Sequence, residues 1–169
     1  MSTGARRYKS AGEISSILSN CIYLQDAEVT LEGVRIYGTP WNATASAFAL
    51  GRLDRKRVYA KIPEGIDVLV THMPMYGIAD LAYVNWPILF GLMQRRLFSH
   101  QCRVCSRPWH HHYGHSGCDI LRDEVLNRVK PKVALFGHVH DDHGAVQVGT
   151  TLCVNSAMKA GHDANVVEL

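Results

Sequence analysis

Apolar positions in this chain fall into three spacings, and the changes of spacing mark out its elements. From Asp119 to Val129 they occur at 120, 121, 125, 126 and 129, one face of a helix, with Pro131 stopping it. Glu13-Ile14-Ser15-Ser16-Ile17-Leu18 shows the same spacing over a shorter reach and predicts a helix ending near Asn20. Phe48 to Ile62 also reads as helical, strongly basic on one side. A period of two appears in Glu28-Val29-Thr30-Leu31 and Val34-Arg35-Ile36-Tyr37, joined by Glu32-Gly33, which predicts a hairpin. Gly38-Thr39-Pro40-Trp41 should break its ladder. Cys21–Leu24, Ala145–Val148, Thr151–Val154 and Asn165–Leu169 read as further strands, with Gly149-Thr150 turning between the second and third.

The third spacing, a continuous apolar run, is the most informative. Ile66-Asp67-Val68-Leu69-Val70 leads into Thr71-His72-Met73-Pro74, and Lys132-Val133-Ala134-Leu135-Phe136 leads into Gly137-His138-Val139-His140. Such runs predict strands buried on both faces, as in α/β sheets, whose ligands bind at the carboxyl ends of strands. Both histidine turns fall at such ends, and imidazole is a common transition-metal ligand. Gly137 suits a sharp turn, and the His-x-His spacing lets two imidazoles leave one loop toward a common point. Asp67, inside the first run, has no functional reading. Strand, helix, strand and then a hairpin give an α/β fold with an antiparallel addition at its end.

The organisation expected is a flexible segment over 1–12 and one partial domain over 13–169, with an irregular insertion near 84–112. Within that insertion Pro87 to Phe98 could form a helix, whereas Ser99 to His112 has no period. An apolar fraction of 47% and a charged fraction of 20% describe an ordinary globular protein. A net charge of +3, spread over scattered basic residues, argues against a nucleic-acid partner. No apolar run approaches a membrane span or a secretion signal, so an intracellular, cytoplasmic protein is expected. The five cysteines then read as free, mostly buried thiols.

The order Val34-Arg35-Ile36-Tyr37-Gly38-Thr39-Pro40-Trp41, Thr71-His72-Met73-Pro74, Gly137-His138-Val139-His140 and Val154-Asn155-Ser156 resembles the calcineurin-like metallophosphoesterases, in particular their small metallophosphoesterase-domain branch. Gly114-His115-Ser116-Gly117-Cys118 is also similar to that branch. The resemblance covers roughly Glu13 to Tyr83 and Tyr113 to Leu169, and Gly-His-x-His is its most specific piece. It implies a β-sandwich flanked by helices and an enzyme, a phosphodiesterase or phosphatase, using two metal ions drawn from manganese, iron and zinc. It also implies a phosphate-ester small molecule, a nucleotide among them, as substrate. By position, His72 and His138 would ligate the second metal and His140 the first, and Asn155 would hydrogen-bond a site histidine from behind.

The family's opening motifs, Asp-x-His, Gly-Asp and Gly-Asn-His, which supply the remaining ligands, the bridging carboxylate and the proton donor, do not open this chain. The resemblance then implies a carboxyl-terminal part of the fold, its amino-terminal strands missing, with at most one metal and no catalytic residue assigned. Two adjacent cations without a bridging anion repel, and losing a general acid costs about 10²–10⁴ in rate. The alternative is a non-catalytic truncated variant acting as a binding or regulatory partner. Uncovered strands should expose an apolar sheet face and favour self-association.

Cys102-x-x-Cys105 with His110, His111 and His112 downstream invites a zinc reading. The familiar four-ligand spacings are not met and the segment has no counterpart in the family, so no metal is expected there. Tyr83, Trp86 and Phe90 read as core or collapsed surface, and Asp141-Asp142-His143 as an exposed acidic turn.

Overall fold

The computed structural model describes residues 10–43, 48–83, 102–108, 110, 113–159 and 161–169. Its frame is a six-stranded mixed sheet built from β1 (Ala27–Leu31), β2 (Val34–Thr39), β3 (Val68–Thr71), β6 (Val133–Phe136), β7 (Gly144–Val148) and β8 (Thr151–Asn155). Across the sheet the strands lie in the order β1-β2-β3-β6-β8-β7. The four inner strands β2, β3, β6 and β8 run parallel, and the edges β1 and β7 are antiparallel hairpin partners. A separate two-stranded antiparallel ribbon pairs β4 (Leu81–Tyr83) with β5 (Tyr113–His115). The fold is mixed α/β, as the periodicities predict.

Helices cover one face of the sheet. These are α2 (Arg52–Tyr59) and α3 (Asp119–Asp123), the latter running on in wider π-helical turns over Glu124–Val129. Tyr59, Ile62, Leu69, Met75, Leu121, Val125, Phe136 and Cys153 form the continuous core between them. Arg128 fastens the two helices: its guanidinium donates to the carbonyls of Ile62 and Tyr59 at 2.7 and 3.1 Å while pairing with Glu124 at 2.6 Å. The predicted 119–129 helix is thus present, but its second half is not α-helical.

The opposite face carries Val68, Val133 and Val154 with Val34, Ile36, Leu135, Leu152 and Val167 against them. It is thinly covered. Val70 is 38% exposed, so the run expected to be buried on both faces is open on one. Two predicted strands turn out to be cover for this face. Cys21–Leu24 makes no ladder and crosses over the sheet, and a Cβ on Gly38 would lie 2.4 Å from the Leu24 Cβ. That close approach, rather than a broken ladder, is why glycine stands there: Gly38 and Thr39 continue β2 and pair with Val70 and Thr71. Asn165–Leu169 is likewise no strand, although Val167 packs on the face. Apolar alternation alone does not separate a strand from a strap lying on one.

The hairpin β1–β2 turns at Glu32-Gly33, both with positive φ (49° and 84°), the conformation a tight hairpin turn needs. α2 is shorter than the basic 48–62 stretch. A helix α1 (Ala11–Ile17) starts slightly before its predicted position because Ser10 and Glu13 form a reciprocal capping box. The helix considered for Pro87–Phe98, and Trp86 and Phe90, lie outside the described residues. Asp67 proves to be structural. Its carboxylate accepts the Arg35 backbone N–H at 2.9 Å and pairs with Lys132 at 2.9 Å, locking β2, β3 and β6 in register. No helix among the described residues is long and apolar enough to cross a membrane.

Candidate metal centres

β3 and β6 are parallel neighbours paired Val68 to Val133 and Val70 to Leu135, so the turns that follow them leave the same end of the sheet side by side. The Gly137 N–H donates to the His72 carbonyl at 3.2 Å, tying one turn to the other. This sets the rings of His72 and His138 edge to face, centroids 4.9 Å apart. His138 has φ +69°, a left-handed conformation costing a side-chain-bearing residue about 1–2 kcal/mol. The turn is held in it by a Val139 N–H to Gly137 carbonyl bond of 2.8 Å. His140 opens a short 3₁₀ turn, and its Nδ1 lies 2.8 Å from the Met158 carbonyl. In a neutral ring that bond puts the proton on Nδ1 and leaves the Nε2 lone pair available to a metal.

Burial holds the His72 imidazole below its usual pKa. His138 is also lowered, first by burial and then by the neighbouring charges of His72 and His140. His138 therefore senses both neighbours, and His72 and His138 favour the neutral, metal-ligating form. Beside His72 an open groove of about 310 Å³ runs between Ile22 and Leu24 and the ends of β2 and β3, with Thr39, Pro40 and Thr71 on its wall.

Asn155, at the end of β8 and fully buried, supports this turn through backbone rather than through a ring. Its amide nitrogen lies 2.9, 2.8 and 3.0 Å from the carbonyls of Ala79, Val139 and Asp142, and its carbonyl accepts the Ala157 N–H at 3.0 Å. The acidic turn behind the histidines is engaged as well. The Asp141 carboxylate accepts the Tyr83 N–H at 2.9 Å and pairs with Lys159. Asp142 accepts the Leu81 N–H at 3.0 Å and pairs with Arg107 at 2.6 Å. Both carboxylates fasten the β4 ribbon onto the histidine turn.

A second cluster lies on that ribbon. Cys102, Cys105, His110 and His115 bring one ligand atom each to within 4.8 Å of one another, the one such group of three or more His, Cys, Asp or Glu among the described residues. Cys102 Sγ is 3.4 Å from His115 Nε2, and Cys105 Sγ is 3.5 Å from His110 Nε2. His115 Nδ1 lies 2.6 Å from the carboxylate of buried Asp80, whose other oxygen accepts the N–H groups of Gly77 and Gly117 at 3.0 and 2.9 Å. His110 Nδ1 lies 3.0 Å from the Tyr113 carbonyl. Burial opposes ionisation of Cys102, yet the Cys105 and Val104 N–H groups and both imidazoles bring its pKa down to about 6. His115 is raised because the Asp80 and Cys102 bonds outweigh burial.

Cys102 and Cys105 thus stand together with two histidines, although the sequence favours no metal there. The sequence offers His110, His111 and His112 as partners, whereas the fourth member, His115, sits on β5, and His111 and His112 lie outside the described residues. The spacing Cys-x2-Cys-x4-His-x4-His was legible; that Asp80 would orient its last histidine was not, since 35 residues separate them.

No family model matches the chain. It is 34% identical over 148 residues to metallophosphoesterase domain-containing protein 1 of Homo sapiens and equally to that of Mus musculus, covering 86% of this chain and 37% of either relative. A UPF0046 protein of Caenorhabditis elegans is 33% identical over 144 residues, covering 84% of this chain and 43% of the relative. The chain thus spans about two fifths of the length of the curated relatives it matches. A solved crystal structure superposes with a TM-score of 0.52 at 18% identity, over 88% of this chain and 50% of that one, a likeness of fold alone. Matches of this coverage take in both histidine turns, and they agree with the order of motifs along the chain: it belongs to the small metallophosphoesterase-domain branch, of which it represents a part.

Proposed function

We propose that the chain contributes to a metal-dependent phosphoester hydrolase, and that His72, His138 and His140 are its metal ligands, His72 and His138 sharing one divalent ion. The sheet is read as one layer of the calcineurin-like sandwich. The observation that carries the proposal is the pairing of the His72 and His138 rings at 4.9 Å, delivered by adjacent parallel strands. Family membership implies divalent metal binding, and the donor set fits: imidazoles suit manganese, iron and zinc, and burial keeps two of them neutral. A divalent ion bound there would polarise a phosphoryl oxygen and acidify a water. The protein's own share is orientation. The Met158 carbonyl fixes the His140 tautomer, the left-handed backbone at 138 aims its ring, and Asn155 holds the carbonyl between the two histidines.

The test is manganese binding together with hydrolysis of an aryl phosphodiester, followed in the chain and in its His138→Ala variant. Manganese binding lost in the variant, and any turnover lost with it, is the expected result. Manganese binding that is unchanged in both His72→Ala and His138→Ala overturns the assignment. The substrate class, a phosphodiester such as a nucleotide ester, rests on the family and is read from turnover.

A second reading, a binding partner without turnover, is favoured by the thinly covered sheet face, where Val70 is 38% exposed, and by Ile22, 58% exposed on the strap across it. It predicts concentration-dependent association by light scattering. A monodisperse monomer over a wide concentration range would argue against it.

A further inference from the structure

We propose that Cys102, Cys105, His110 and His115 bind one zinc ion in a closed tetrahedral site, which clamps the 102–115 stretch and the β4–β5 ribbon beside the histidine turn. Four donors of two kinds converge, and no carboxylate stands among them. Tetrahedral zinc with Zn–S near 2.3 Å and Zn–N near 2.0–2.1 Å separates a thiolate from an imidazole nitrogen by about 3.6 Å. The two sulfur–nitrogen distances here are 3.4 and 3.5 Å. Each histidine presents Nε2 to the centre and has its Nδ1 engaged behind, one by the Asp80 carboxylate and one by the Tyr113 carbonyl. Such bonds fix ring orientation and tautomer in zinc sites. Two thiolates with two imidazoles, each sulfur close to tetrahedral distance from one ring nitrogen, select zinc over the harder cations that prefer oxygen.

Cys102, His115 and Asp80 also lie in the order of a nucleophile, base and orienting acid. The surroundings speak against that use. Cys102 is 7% exposed, leaving little approach for a substrate, and a second thiol–imidazole pair points at the same spot. A nucleophile has no use for that second pair, whereas a four-coordinate ion needs it.

The clamp bears on the first centre. Between the cysteine pair and His110 lies Arg107, whose guanidinium pairs with Asp142 in the turn opened by His140. The Cys102 N–H donates to the Arg107 carbonyl at 2.9 Å, which closes this loop upon itself. Zinc would therefore hold the segment that presents Arg107 to the histidine turn.

The experiment uses the full chain, purified under reducing conditions without chelator. Elemental analysis should find one equivalent of zinc that survives in His72→Ala/His138→Ala/His140→Ala and disappears in Cys102→Ser/Cys105→Ser. Cobalt substituted into the wild-type chain should give the intense visible bands of a tetrahedral ion and a near-ultraviolet thiolate-to-cobalt band. That measurement decides the matter even if the serine variant fails to fold. Asp80→Asn, which keeps all four ligands, should weaken zinc affinity about 10–100-fold. A cobalt spectrum without the thiolate band overturns the proposal. So does zinc retained in full by a folded serine variant, or a Cys102–Cys105 disulfide in the reduced preparation.

Discussion

The histidine centre and the cysteine–histidine centre sit on opposite sides of one ion pair, Arg107 to Asp142, and are built on contrasting principles. The first draws its rings from the tips of two parallel strands, sets His72 beside a groove with His140 exposed, and lets the charges of His72 and His140 discourage that of His138. The second draws four donors from one short stretch and the strand that follows, with Cys102 buried and both imidazoles braced from behind. A catalytic metal needs an open coordination position, and a structural metal needs none. The contrast teaches that placement on rigid strand ends serves access, whereas density of ligands in a loop serves order.

The largest effect that would sharpen this contrast comes from removing zinc. With free zinc about 1,000-fold above its Kd, binding stabilises the fold by about 4 kcal/mol. Chelation should then lower Tm by roughly 8–16 °C, at 2–4 °C per kcal/mol for a chain of this size. His72→Ala with His138→Ala should move Tm far less, since those rings are exposed or partly so. Differential scanning calorimetry with and without chelator reads both, and equal shifts would erase the distinction.

Next in size is Asn155→Ala, which strips buried carbonyls of Ala79, Val139 and Asp142 and the Ala157 N–H of their partner. A loss of about 2–4 kcal/mol is expected in urea unfolding. Manganese affinity should fall while zinc content stays at one equivalent. If both metals were lost together, the two centres would be one cooperative unit.

The link between them is worth less. The Arg107 side chain is 44% exposed and that of Asp142 13%, so screening leaves a coupling of about 0.5–1 kcal/mol in a double-mutant cycle on Arg107→Ala and Asp142→Ala. A coupling near zero would mean that the centres merely adjoin.

The smallest effect is a control far from both. The Arg35 N–H and the Lys132 ammonium hold the Asp67 carboxyl below its usual pKa of 3.8. The unfolded chain binds that proton more readily, so the stability is present above the ordinary aspartate value and is lost as pH falls through the lowered one. Asp67→Asn should flatten this acid limb in a pH series of urea midpoints. Because Asp67 braces β2, β3 and β6 at the end away from the histidines, zinc content should not change.

Much of this was legible in the sequence wherever a local rule suffices. Two continuous apolar runs ending in His72 and in Gly137-His138-Val139-His140 marked two inner strands and the shared sheet end from which their histidine turns leave, because backbone alternation and burial are properties of a few consecutive residues. Periodicity and turn chemistry likewise announced the hairpin at Glu32-Gly33 and the helix starting at Asp119. Local rules failed where a segment's role depends on what it lies against. Cys21–Leu24 and Asn165–Leu169 have strand-like composition but serve as covering straps, and Gly38 is small because Leu24 crosses it. Asp67 looked misplaced until Arg35 and Lys132 came beside it. Only the tertiary structure brought Asp80 to His115 and set the four sulfur and nitrogen donors within 4.8 Å of one another. Ligand geometry is a matter of distances between chain segments, and a single sequence specifies those only through the packing of the whole.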